Sequence, residues 1–141
     1  MSTFRIALAQ INTVVGDLDG NTAKVIDYMR RARELGADLI AFPELAITGY
    51  PPEDLLFKSK FVEENKKRMH EVVAASKGIS TVFGFVDSDG PLYNAAAIAC
   101  DGELAHVYRK IYLPNYGVFD EERYFKPGNR CPVFKIDEVS V

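Results

Sequence analysis

Two residues of this chain combine reactive side chains with positions at the ends of strand-like runs: Glu44 in "AFPELAITGYPPEDLL" and Lys110 in "YRKIYLPNYGVFDEERYFKPG". A carboxylate can take up and return a proton, and an ammonium group can stabilise negative charge building on an oxygen. The two lie far apart in sequence, so only the fold could bring them into one site. On the residues alone, that reading stands beside a simpler one, in which each is a solvated charge at the end of its strand. The thiols Cys100 and Cys131 and the imidazoles His70 and His106 are scattered without metal-ligand spacing, and each reads as a packing or surface group.

The elements that would position Glu44 and Lys110 follow from hydrophobic periodicity. "FRIALAQI" from Phe4 to Ile11 predicts a strand buried on both faces. "VVGDLDGN" turns the chain, and from Asn21 the residues Val25, Met29 and Ala32, with Tyr28 and Leu35 beside them, recur at helical spacing up to a stop at Gly36. "ADLIAF" from Ala37 to Phe42 predicts a second buried strand. The intervening helix makes the pair a parallel βαβ unit, with Glu44 just past the carboxyl end of its second strand, where open α/β sheets place ligands.

A second helix is expected near Ser59, capped by its hydroxyl, with Phe61, Val62, Asn65, Met69, Val72 and Val73 on one face and Gly78 as its end. "STVFGFV" from Ser80 to Val86 predicts a third strand buried on both faces. Asp-Gly in "CDGE" then joins two extended stretches into a hairpin that reads as apolar on both faces and has Lys110 at its outgoing end. Around Val133 to Ile136 one more extended segment is expected. Neither repeat nor linker divides the chain.

Composition narrows the function classes. With 141 residues, 48% hydrophobic and 26% charged, the chain is long enough to bury one core. Its 17 Lys and Arg against 20 Asp and Glu form no basic stripe, which argues against a nucleic-acid partner. Apolar runs are strand-sized, short of the ~20 residues a membrane helix needs, and no basic segment precedes the first of them, so no membrane partner and a cytoplasmic location are expected. Two cysteines are too few for a disulfide framework.

"AFPELAITGYPPEDLL" and "YRKIYLPNYGVFDEERYFKPG", with "RIALAQINTVVGDLDGN" upstream, resemble the nitrilase superfamily of carbon-nitrogen hydrolases, nearest to the branch formed by the amino-terminal glutaminase domains of glutamine-dependent NAD synthetases. The resemblance implies an α/β fold, the α-β-β-α sandwich of the nitrilase type, of which residues 1–141 would be the first half. It implies L-glutamine as substrate, with no cofactor for the amide cleavage. ATP and Mg are expected only at a C-terminal NAD synthetase domain, which would be the partner receiving the ammonia. It also implies a homo-oligomer.

By the same resemblance, Glu44 is the base that takes a thiol proton and returns it to departing ammonia, and Lys110 stabilises the oxyanion. Glu121 is a second carboxylate holding the lysine, while Tyr116 and Phe119 line the glutamine pocket. The family's nucleophilic cysteine follows a later strand, in a setting like I-C-E-D that is not reached before Val141, and neither Cys100 nor Cys131 matches it. The residues as they stand are therefore expected to be inactive alone. Other readings are a nitrilase-type amidase acting on another amide and a non-catalytic association module.

Overall fold

The computed structural model describes residues 3–136 and 139–140. Its described residues form a five-stranded sheet, with helices packed on one face, and a short two-stranded ribbon near the end. Strands β1 (Ile6–Leu8), β2 (Leu39–Ala41) and β3 (Ser80–Ser88) pair in parallel in that order. β3, β4 (Leu92–Cys100) and β5 (Glu103–Arg109) continue it antiparallel. β6 (Lys135–Ile136) and β7 (Val139–Ser140) form the ribbon, in line with the extended segment expected there. Val141, the point before which the nucleophile motif is not reached, lies outside the described residues. No helix among those described is long and apolar enough to cross a membrane.

Helix α1 spans Leu18–Glu34, starting three residues ahead of the expected Asn21. The Asp17 carboxylate accepts from the Gly20 backbone N–H at 2.9 Å, so the glycine that reads as a turn signal lies inside a capped first turn. Asn21 is buried instead of opening the helix. Its carboxamide accepts from Val14 N (2.8 Å) and donates to Val14 O (2.8 Å) and Ile47 O (3.0 Å), tying the loop before α1 to the segment after β2.

Helix α2 spans Ser59–Ala75 as the periodicity predicts, but Ser59 is its first helical residue, not its cap. Lys58 occupies the cap position, and no side chain makes a capping hydrogen bond. Asn65, fully buried, donates to Val86 O at 2.6 Å and accepts from Val86 N at 3.2 Å, which fixes α2 against β3.

Both helices cover one side of the sheet. Val25 and Met29 from α1 and Met69, Val72 and Val73 from α2 pack with Ile40, Phe83, Phe85, Ala95, Ala97 and Ala99 into one core. β3 is buried on both faces as expected, but β1 is not: Ile6 is 51% and Leu8 78% exposed. They sit on an edge strand with their side chains on the face the helices leave open, in register with Leu39 and Ala41. β4 and β5 form the expected hairpin, with Asp101 and Gly102 at positive φ in its turn.

Gly84 in β3 sets how the loop carrying Glu44 crosses the sheet. A β-carbon at Gly84 would stand 2.1 Å from Leu45 N and 2.8 Å from Pro43 O, so backbone lies directly on backbone there. Leu45 itself takes a left-handed φ of 48°. Gly84→Ala is expected to lower stability by about 2 kcal/mol or more in urea unfolding, because the Glu44 loop must lift off β3. Gly90→Ala, where φ is +78° and no atom lies within 4 Å, should cost only about 1 kcal/mol. Equal losses at the two positions would contradict the proposed contact.

Candidate active site

The strand ladder brings the two charges together. Ala95 on β4 pairs with Arg109 on β5, and one step further Lys110 N donates to Asn94 O at 2.8 Å, so Lys110 emerges beside Asn94. Glu44 arrives from the loop after β2 that lies against Gly84. The Lys110 ammonium is 2.6 Å from Glu44 Oε1, which makes one cluster of residues far apart in sequence.

Glu121 completes this cluster. The segment after Lys110 is a closed excursion: Gly128 N donates back to Lys110 O at 2.8 Å and Lys126 N to Leu92 O at 2.9 Å. Inside it, a short turn of 3-10 helix at Glu121–Arg123 puts the Glu121 carboxylate 3.1 Å from Lys110 Nζ through both oxygens. Glu121 is buried, with 6% of its side chain exposed against 43% for Glu44.

Two neutral donors hold the carboxylates, and the sequence reading assigned neither to the site. Asn94, buried, donates through Nδ2 to Glu44 Oε1 at 2.5 Å and to Glu121 Oε2 at 3.3 Å. The Tyr50 hydroxyl donates to Glu121 Oε1 at 3.1 Å. The signal for Asn94 was a polar residue inside the apolar strand "LYNAAAIAC", one position from the register partner of Arg109. Tyr50 lies within the "TGYPP" stretch that carries part of the family resemblance, but nothing local assigns it a partner.

Burial pulls the Lys110 ammonium down, but hydrogen bonds to Glu44 and Glu121 outweigh it and leave its pKa above the usual lysine value. Burial, and then the Glu121 carboxylate, push the Tyr50 phenol up to about 12. Both groups thus hold their protons across the neutral range.

Space opens on two sides of the cluster. A cavity of about 220 Å³ is lined by Glu44, Lys110, Asn94 and Tyr108 on the open face of the sheet. A second, of about 520 Å³, is lined by Tyr50, Asp54, Phe119, Glu121 and Arg123, and the Tyr124 hydroxyl latches its two walls by donating to Asp54 at 2.7 Å. Phe119 therefore lines a cavity, whereas Tyr116 lines neither of these two. It is 71% exposed and packs edge-on against Phe119 at 5.7 Å.

Both cysteines are exposed and free. Cys100 ends β4 six residues beyond Asn94, about 20 Å along the strand. Neither thiol hydrogen-bonds to Glu44 or Lys110 among the described residues. His70 is exposed, and His106 packs against Phe134 with tilted rings 4.9 Å apart, in keeping with surface and packing roles.

The glutamine-dependent NAD(+) synthetase of Thermotoga maritima is 49% identical over all of this chain, which spans 25% of that protein's length. The corresponding protein of Xylella fastidiosa is 46% identical, again over the whole chain and 27% of its own length. The chain thus spans about a quarter of the curated relatives it matches.

Among solved structures, the glutamine-dependent NAD+ synthetase from Acinetobacter baumannii, in complex with adenosine diphosphate, superposes with a TM-score of 0.88 at 43% identity, over 97% of this chain and 26% of that one. An amidase from Nesterenkonia sp. superposes with a TM-score of 0.79 at 29% identity, over 94% of this chain and 51% of that one. The fold is that of nitrilase-type domains, and the carbon-nitrogen hydrolase profile matches residues 5–141. By that match and these identities, the chain belongs to the carbon-nitrogen hydrolase family.

Proposed function

We propose that Glu44, Lys110 and Glu121 are the acid–base and oxyanion-stabilising groups of a glutaminase, and that residues 1–141 are the amino-terminal part of its domain. The ammonia released would pass to a C-terminal NAD synthetase domain that uses ATP and Mg, in keeping with the relatives' names and the nucleotide bound in the A. baumannii protein. The glutaminase step itself needs no cofactor, and a cytoplasmic location accords with this chemistry. The observation that carries the reading is the single ammonium of Lys110 held between two carboxylates at a cavity.

The charge count explains why two carboxylates serve better than one. A thiol supplied by another part of the protein gives its proton to Glu44 as sulfur attacks the carboxamide carbon of glutamine. Lys110 donates to the oxygen that becomes negative. When Glu44 is protonated, Glu121 still neutralises Lys110, so no buried charge is left alone. Glu44 then returns the proton to the leaving nitrogen, ammonia departs, and the thioester is hydrolysed by a water that Glu44 deprotonates in turn. Phe119 would line the glutamine side chain's path, with Tyr116 bracing it through the ring contact.

With the full-length gene product, ammonia should be released from glutamine in preference to other amides. Glu44→Gln should lower kcat by about 10²–10⁴-fold, and Lys110→Met by about 10²–10³-fold. The 141-residue chain alone should match the buffer blank. Turnover by that chain that vanishes in Cys100→Ala or Cys131→Ala would overturn the assignment, and a preference for small free amides would favour the other amidase reading.

Lys110 and Tyr50 bind their protons more tightly folded than unfolded, so their stabilisation is complete below about pH 10 and falls as pH rises, for Tyr50 up to its folded value of about 12. Urea midpoints across that window should fall more steeply for the wild type than for Tyr50→Phe. Parallel curves would refute the half-buried phenol–carboxylate contact.

We further propose that the open face at Ile6 and Leu8 is covered by the remainder of the domain, and that the whole protein is a homo-oligomer. Prepared alone, the 141-residue chain is expected to self-associate in light scattering, and Leu8→Lys should reduce that association. A monodisperse monomer with a cooperative thermal transition would count against this.

A further inference from the structure

Among the described residues, both hydrogen bonds that the Glu44 carboxylate receives fall on one oxygen. Lys110 Nζ reaches Oε1 at 2.6 Å and Asn94 Nδ2 reaches the same atom at 2.5 Å, while Oε2 receives none. The side chain is 43% exposed, and the terminal torsion of a glutamate is broad and nearly two-fold. Held by the flexible lysine stem alone, its carboxylate plane could tilt and carry the unbonded oxygen away from a reacting group. A second donor, on a buried strand residue, prevents that.

We infer that Asn94 is a positioning residue for Glu44, anchoring Oε1 together with Lys110 so that Oε2 is the oxygen presented to the reacting thiol and to the leaving nitrogen. The inference rests on the reading of Glu44 as the base. Asn94 suits the task for three reasons. It is 3% exposed in the middle of a paired sheet, so its own side chain is fixed. Its backbone carbonyl accepts from Lys110 N at 2.8 Å, so the same residue places the stem of the ammonium. Its carboxamide has two protons and no charge. It reaches Glu121 Oε2 at 3.3 Å as well as Glu44 while leaving intact the net negative charge that lets one carboxylate accept a proton.

The test uses the full-length gene product with Asn94→Asp and Asn94→Leu. Asp keeps the size and the backbone contact but brings a third carboxylate instead of a donor, and Leu keeps the volume with no donor. Each variant is expected to lower kcat for glutamine hydrolysis by about 10–100-fold with KM within about threefold, the pattern for loss of an interaction that acts on the chemical step. In crystals of either variant, the Glu44 carboxylate should leave its contact with Lys110 or tilt its plane by tens of degrees.

Wild-type kcat in Asn94→Asp, or a loss confined to KM, would overturn the inference. So would crystals in which Glu44 is unmoved, and this readout needs no substrate. If Asn94→Leu does not fold, Asn94→Asp supplies both readouts. A wild-type product that leaves glutamine intact would instead remove the glutaminase reading, and the crystals would still decide the positioning of Glu44.

Discussion

One ammonium group faces two carboxylates in this molecule, and much of the structure serves that imbalance. Lys110 cannot satisfy Glu44 and Glu121 equally: Glu44 has the shorter contact through one oxygen, and Glu121 the longer pair through both. The remaining hydrogen bonds come from neutral groups, Asn94 and Tyr50, so the cluster keeps one excess negative charge. Asn94 and Tyr50 thus add hydrogen bonds to the carboxylates without cancelling their charge. Such a cluster can accept a proton and release it without stranding a buried ion, which is what cleavage of an amide by a thiol requires.

The fold holds this arrangement through backbone contacts more than side-chain packing. Glu44 is placed by a loop pressed on Gly84, Lys110 by a hydrogen bond to Asn94 O, and Glu121 by an excursion whose ends meet at Gly128. A side chain at Gly128 would collide with Arg109 O at 2.1 Å, so the neck of that excursion depends on glycine as the Glu44 loop does. The Glu44 loop and the distant segment from Lys110 to Gly128 are thereby fixed to one sheet end, and the core between helices and sheet keeps that end rigid.

How much of this was legible in the sequence depends on the range of the interaction. Glu44 and Lys110 stand at strand ends that periodicity predicts, but only the family resemblance implied that they share a site and that Glu121 joins them. Asn94 could not be read from the chain, because an asparagine near the start of a strand gives the same signal as one that ends a turn. Tyr50 needed the fold of two loops to meet Glu121. The start of α1 was misplaced because Gly20 reads locally as a breaker while Asp17 caps the turn that contains it. The exposure of Ile6 and Leu8 was missed for another reason. An apolar run looks the same whether one or both faces of its strand are covered, since the number of layers is set by what packs on the sheet and not by the strand.

The most direct test of the whole account is a crystal structure of the full-length gene product after reaction with a chloroketone analogue of glutamine. The account predicts a thioether to a cysteine outside residues 1–141, with the ketone oxygen within hydrogen-bond distance of Lys110 Nζ and Glu44 Oε2 facing the sulfur. An adduct whose oxygen points away from Lys110, or one formed on Cys100 or Cys131, would contradict it.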